Sequence, residues 1–200
     1  METVLAMKGI SKSFPGVKAL QSVDFDLYQG EVHALVGENG AGKSTLMKIL
    51  SGVYHADAGE IWVKGKKMTD IGIRTMIDAG VSVIYQELNL VQHLSVAENI
   101  FMGREPLLPG GFIDWKRMNK AVQELLSPFR IDIDPRARIY TLSPAYQQVV
   151  EIAKALSLNS DIMVMDEPTA ALTGNEVDKL FEIIGELKRK GVSVIYISHR

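Results

Sequence analysis

The chain has 200 residues, 46% of them hydrophobic and 23% charged, which is enough apolar mass for one globular domain with a sizeable core. A net charge of −2 leaves no basic excess, which argues against electrostatic binding of nucleic acid. Cysteine is absent, so disulfides and thiolate metal sites are excluded; with no signal-peptide profile and no apolar run of membrane-spanning length, the chain is expected to be cytosolic.

In chain order, Val4–Lys8 and Val23–Leu27 read as strands separated by the turn formers Phe14-Pro15-Gly16, and they are expected to form an antiparallel sheet beside the core. The apolar run Val32-His33-Ala34-Leu35-Val36 reads as a further strand. Directly after it comes Gly37-Glu38-Asn39-Gly40-Ala41-Gly42-Lys43-Ser44-Thr45, which fits G-x-x-x-x-G-K-[ST]. Glycines at 37, 40 and 42 permit turns that aim successive N–H groups inward, and a helix over Lys43–Leu50 adds the positive end of its dipole. Such a loop cradles phosphate, with Lys43 reaching the β and γ phosphates and Ser44 ligating magnesium.

Asp57–Gly65 reads as a turn and short strand, and Val81–Tyr85 as a core strand ending at Gln86. From Leu94 to Ile133 the pattern is helical, jointed by prolines 106, 109, 128 and 135. Asp114 is placed to cap a helix with Trp115, Met118, Val122, Leu125 and Leu126 on one face, and a small helical subdomain over about 94–160 is expected as an insertion in the core. Ser143-Pro144 has the form of a helix start, with a hydroxyl at the cap and proline at the first helical position; Val149, Val150, Ile152 and Ala153 are available for packing.

Asp161–Pro168 reads as a buried strand ending in two carboxylates, which at the carboxyl end of a parallel strand face the crevice where such sheets bind ligands. Asp166 is then placed for the magnesium shell, and Glu167 to polarise attacking water as a general base. Thr173-x-x-Glu176 has the form of a capping box, before a helix bearing Val177, Leu180, Phe181, Ile184 and Leu187 and stopped by Gly191. Val192–Ile197 returns as a buried strand that brings Ser198, His199 and Arg200 to the same sheet edge as Asp166. Strands alternating with helices predict a parallel sheet with right-handed crossovers. The other histidines, His33, His55 and His93, are read as structural.

The set of Gly37–Thr45, Gln86, Ser143, Asp166-Glu167 and His199 resembles the nucleotide-binding domain of an ATP-binding cassette (ABC) transporter, over nearly the whole chain. In that resemblance Gly37–Thr45 is the Walker A loop, Gln86 the Q-loop, Leu142–Gln147 the signature region, Asp166 and Glu167 the Walker B carboxylates and His199 the switch histidine. The segments Val83–Leu90, Val149–Leu156 and Val194–Arg200 further resemble the ATPases of bacterial importers for ribose, galactose, xylose and similar monosaccharides. The resemblance implies an α/β fold: a P-loop NTPase core with a mostly parallel sheet, an antiparallel β subdomain and an inserted helical subdomain, with residues 1–200 forming one nucleotide-binding domain.

It also implies ATP and magnesium as ligands, with Phe14 stacking on adenine and Gln86 touching magnesium or water while relaying nucleotide state. Lys43, Glu167 and His199 act at the γ-phosphate, and Ser143 and Ala145 bind ATP held by a second such domain. The implied partners are that second domain, membrane permease subunits at the inner face of the cell membrane and, indirectly, an extracytoplasmic sugar-binding protein. The signature departs from the usual Leu-Ser-Gly-Gly-Gln: here it is Leu142-Ser143-Pro144-Ala145-Tyr146, then Gln147. Pro144 loses an N–H and Tyr146 adds bulk. The family domain continues beyond the switch histidine, so the chain is expected to be truncated at its C-terminus, with the strand at Val192–Ile197 less covered and solubility reduced.

Four other readings compete. A GTPase needs Asn-Lys-x-Asp, but Asn119-Lys120 is followed by Ala121-Val122 in a predicted helix. A nucleotide kinase would lack the Asp166-Glu167 pair with a downstream histidine. A soluble ABC ATPase outside transport, or a module that holds ATP with little turnover, stays open at this level.

Overall fold

The computed structural model describes residues 2–129, 131–170 and 172–199, so the expected position of Arg200 lies outside the described residues. These residues divide into two compact units: one of 1–83, 160–167 and 187–200, the other of 84–159 and 168–186. The second unit thus takes in the predicted helical span together with the segment after the paired carboxylates.

The first unit holds two sheets. Strand β1 (Thr3–Phe14) pairs antiparallel with β2 (Val17–Tyr28) from Thr3↔Tyr28 to Phe14↔Val17, around the turn at Pro15-Gly16. On its other side β1 takes β4 (Ala58–Val63), which carries β5 (Lys66–Lys67), for the order β2-β1-β4-β5. Both long strands outrun the predicted segments. Several register shifts between Thr3 and Ser13 break the inside–outside alternation there, so only the regular stretches were legible.

The other sheet has the order β3-β8-β7-β6, with β3 (Val32–Val36), β8 (Ser193–Ser198), β7 (Ile162–Asp166) and β6 (Val81–Ile84). β3, β8 and β7 run parallel. Ile162, Met163, Val164 and Met165 are all fully buried, as are Val194, Ile195 and Ile197. Such continuous apolar runs are what a parallel sheet covered on both faces requires, and each side chain contributes about 1.5–3 kcal/mol through burial. The expectation of a poorly covered strand at Val192–Ile197 is overturned: β8 is interior, paired on both sides. Sparse cover falls instead on β3 at the sheet edge, where Val32 and Val36 are exposed. Helices α1 (Lys43–Leu50) and α2 (Ile73–Asp78) complete this unit.

The second unit contains α3 (Val96–Phe101), α4 (Trp115–Leu126), two short 3₁₀ turns, α5 (Pro144–Leu156) and most of α6 (Gly174–Arg189). Asp114 caps α4 by accepting from the Arg117 N–H at 2.9 Å, and Met118, Val122 and Leu126 are buried. Trp115 departs from that face: it is 49% exposed and lines an open cleft with Lys116, Asn119 and Lys120. In α6 the buried stripe is Leu180, Ile183, Ile184 and Leu187, and Phe181 is exposed. That stripe follows i, i+3, i+4, i+7, which puts Phe181 about 100° off its leading edge. Gly191 ends the helix as expected, its N–H donating to the Lys188 carbonyl at 2.9 Å.

Candidate functional site

Parallel pairing brings three strand ends to one edge of the first unit's sheet: Val36 lies opposite Ser198, and Ile197 opposite Asp166. The loop Gly37–Gly42, the pair Asp166-Glu167 and His199 therefore emerge side by side. The loop and α1 border a cleft of ≈ 400 Å³ that is also lined by Phe14, Val17, Lys18, Ala19, Thr45 and Glu167.

Within the loop, Gly40 and Gly42 have φ of 84° and 88°, a conformation that side chains disfavour. Gly42 is also closed sterically, since an added Cβ would stand 2.7 Å from the Ala19 carbonyl oxygen and 2.8 Å from Leu20 Cδ2. Gly37 differs from the sequence expectation. Its φ is not positive, and an added Cβ would meet only ordinary contacts, so the turn does not rest on it. Glu38, Asn39, Gly40 and Ala41 are exposed along the loop, and the Ala41 N–H donates to the Glu38 carbonyl at 3.2 Å. Lys43 Nζ donates to the Gly37 carbonyl and, at 3.0 Å, to that of Glu38. No side chain caps α1 at Gly42. The first-turn N–H groups, with Ser44 and Thr45 among them, and the ammonium thus present concentrated positive charge to the cleft.

Facing this, Glu167 has φ 48°, a left-handed backbone that costs a non-glycine residue about 1–3 kcal/mol. Its N–H is tied to the Ile197 carbonyl at 3.1 Å, and its Oε1 lies 2.8 Å from His199 Nδ1. The two residues read separately from sequence thus form one contact pair. Asp166 is half-buried; burial and then the adjacent Glu167 charge push its carboxyl above the usual range, against the pull of Lys43 and Lys48. An incompletely compensated carboxylate of this kind is one that a cation would stabilise. Among the described residues no group of three or more His, Asp or Glu could hold a metal alone. Ser44 and Asp166 offer oxygen donors of the kind magnesium takes; that ion keeps several waters and phosphate oxygens rather than a full protein cage.

Phe14 is half-buried at the end of β1, edge-on to Tyr54 with ring centroids 5.4 Å apart, and Lys12 Nζ stands 5.7 Å from its centroid. His33 packs its ring against Phe25 at 4.9 Å and His93 against Tyr140 at 5.8 Å, in keeping with structural roles.

The remaining candidates belong to the second unit. Gln86 is exposed, two residues beyond β6. Ser143 is the N-cap residue of α5 and Pro144 follows at the first helical position, as expected, but the serine hydroxyl makes no cap bond; it donates to Glu176 Oε1 at 3.4 Å. Glu176 also accepts from the Thr173 N–H at 3.0 Å and from Thr173 Oγ1 at 2.9 Å. The predicted capping box is thus only half formed, because the threonine hydroxyl donates to the carboxylate instead of accepting from the backbone. Ala145 and Tyr146 border a small cavity of ≈ 60 Å³ with Ser143 and Glu176.

Sequence reasoning missed the pairing of Glu167 with His199, the strain at Glu167 and the buried Glu151 on α5. The last had a visible signal: an acid at i+3 from Gln148 among Val149, Val150 and Ile152, where a wholly apolar face would be ordinary.

A protein-family model described as ABC transporter matches residues 20–170. The chain is 52% identical over its whole length to the galactose/methyl galactoside import ATP-binding protein MglA 1 of Photobacterium profundum and covers 40% of that protein. It is 52% identical over its whole length to the ribose import ATP-binding protein RbsA of Caldanaerobacter subterraneus, again covering 40%. Against the xylose import ATP-binding protein XylG of Geobacillus kaustophilus it is 51% identical, with 98% of this chain and 39% of that protein covered. The chain therefore spans about two fifths of the length of these curated relatives. Among solved structures, an ATP-binding cassette of an ABC transporter in its ADP conformation superposes with a TM-score of 0.88 at 28% identity, covering all of this chain and 82% of that one. No helix of the described residues is long and apolar enough to cross a membrane. With its phosphate-type loop, its paired carboxylates and a family match over three quarters of its length, the chain belongs to the ABC transporter family.

Proposed function

We propose that this chain is a nucleotide-binding domain that binds ATP with magnesium in the cleft beside Gly37–Thr45 and hydrolyses it, powering an importer for a monosaccharide. The observation that carries the reading is the meeting, at one sheet edge, of an uncapped anion-binding loop with the Glu167–His199 pair. Phe14, which lines the cleft, would stack on the adenine ring. Ser44 and Asp166 would hold magnesium, whose charge would neutralise that of the phosphates when bound.

Lys43 would exchange its two loop carbonyls for phosphate oxygens, and its charge would then oppose the negative charge that develops on the leaving phosphates. Glu167 accepts the proton of the attacking water, its carboxylate held in place by the His199 ring. A ring that donates at both nitrogens carries a positive charge, so His199 bound to Glu167 through Nδ1 can offer Nε2–H to the γ-phosphate only as the imidazolium. Ser143 and Ala145 would contact ATP held by a second nucleotide-binding domain. Permease subunits would receive the movement at the inner face of the cell membrane, with an extracytoplasmic sugar-binding protein supplying the solute. The import names of the relatives support these partners.

One observation favours a second reading, a domain that holds ATP with little turnover: Pro144 removes an N–H from the start of α5, and the Ser143 hydroxyl is turned to Glu176. Titration with a fluorescent ATP analogue and magnesium tests the shared core of both readings. Saturable binding that weakens at least about tenfold in Lys43→Ala is expected. Equal binding by the wild-type and substituted chains would remove the cleft as the nucleotide site.

A further inference from the structure

Asp57 stands immediately before β4 and holds three consecutive residues of β1 at once. Its N–H donates to the Ser11 carbonyl at 2.8 Å, its Oδ1 accepts from Lys12 Nζ at 2.7 Å, and its Oδ2 accepts from the Ser13 N–H at 2.7 Å. The last β1–β4 pair is Ser11↔Ala58, and the ladder to β2 shifts register on both sides of Lys12. Regular strand pairing therefore weakens just before Phe14, and the Asp57 carboxylate takes up the donors there in its place. Lys12 and the Ser13 N–H hold that carboxyl below the usual range, so it stays a charged acceptor.

The same short segment also reaches α1. The Val53 and Tyr54 N–H groups donate to the Lys48 carbonyl at 2.9 and 3.0 Å. The Tyr54 ring, partly buried against the core, meets Phe14 edge-on at 5.4 Å, a separation at which such ring pairs attract. Residues 54–57 thus run from the helix that opens at Lys43 to the end of the strand that carries Phe14. Among the described residues, neither Tyr54 nor Asp57 lines the nucleotide cleft, so both act on it through Phe14.

We infer that Asp57 and Tyr54 are positioning residues that set Phe14 at a fixed reach from Lys43, so that the cleft favours a triphosphate carrying a planar base over the triphosphate alone. This rests on the ATP reading above. The loss on removing either should fall on binding, not on the chemical step.

Displacement of a ribose-labelled fluorescent ATP analogue, with magnesium present, tests this on the 200-residue chain. Two competitors are compared: ATP, and inorganic tripolyphosphate, which has the charge but no base. In Asp57→Ala the affinity for ATP should fall about fivefold, the worth of roughly one hydrogen bond, while that for tripolyphosphate stays within about twofold. Asp57→Asn, whose amide oxygen still accepts from one donor, should recover part of the loss. In hydrolysis the KM for ATP should rise by the same factor in Asp57→Ala, with kcat within about twofold of wild type. Equal weakening of both competitors would mark a merely structural role and overturn the inference, and so would unchanged ATP affinity in a folded Asp57→Ala chain. Should that variant fail to fold, Tyr54→Leu removes the edge-on ring contact alone and should weaken ATP about threefold with tripolyphosphate unaffected; unaltered ATP affinity would again overturn the inference. A wild-type chain that does not bind the analogue would sink the ATP reading and this inference with it, whereas a wild type that binds and an Asp57→Ala chain that binds equally well would sink the inference alone.

Discussion

Helices α3 and α5 both begin at a serine and use it in opposite ways. At α3 the box is complete: Ser95 Oγ accepts from the Glu98 N–H at 3.2 Å, and Glu98 Oε2 accepts from the Ser95 N–H at 2.7 Å. At α5 the Ser143 hydroxyl makes no cap bond and the following residue is a proline. The start of α1, at Gly42, is likewise bare. A helix start closed by its own side chains has fewer donors left for a ligand, whereas a bare one keeps them. The starts without a side-chain cap bond include those of α1, α2 and α5, at Gly42, Gly72 and Ser143; the proposed mechanism puts phosphate at the first, from the same chain, and at the last, from the opposite domain.

The strongest way to break the comparison is to stop the chemistry while keeping the bare starts. Glu167→Gln should lower steady-state ATP hydrolysis by about 10²–10⁴-fold with nucleotide binding retained, measured by phosphate release beside the analogue titration. A small loss would favour the binding-module reading. On the closed side, Ser95→Ala removes the box bond from the Glu98 N–H to the hydroxyl and should cost about 1 kcal/mol, lowering the melting temperature by about 2–4 °C without touching ATP affinity.

Asp166→Asn should do the reverse at the open site, abolishing magnesium-dependent hydrolysis while raising the nucleotide-free melting temperature at neutral pH by about 2 °C, a figure kept small because the group is half exposed. The sign follows from the raised carboxyl: its favourable contribution is complete below the unfolded-state value and is lost as pH rises through the folded one. The difference between Asp166→Asn and wild type should therefore vanish in thermal melts near pH 3, about where aspartate is protonated in both states. Last, Ser143→Ala should change stability by less than about 0.5 kcal/mol, since no cap bond is lost; a cost like that of Ser95→Ala would erase the contrast.

Much of this was legible in the sequence, because the signals were local. Gly40, Gly42 and Lys43 carry their spacing with them, and Ile162–Met165 reads as a covered strand from its run of apolar residues alone. What escaped depends on pairing between distant segments. Glu167 meets His199 only because β7 and β8 are parallel neighbours in a particular register, and Ser143 meets Glu176 across 33 positions. Phe181 was misplaced for a simpler reason: a helical stripe can be drawn through it or through Ile183, and packing decides between them. The same limit hid the cover over β8, since strand order in a sheet is not written in any one strand.

Specific ATPase activity measured against protein concentration, wild type beside Ser143→Ala, tests the central claim most directly. If the bare start of α5 serves the ATP of a second domain, activity per chain should rise with concentration in wild type, and Ser143→Ala should stay at least about tenfold lower at every concentration. Activity independent of concentration, or unaffected by Ser143→Ala, would contradict the claim that this helix start is kept open for phosphate.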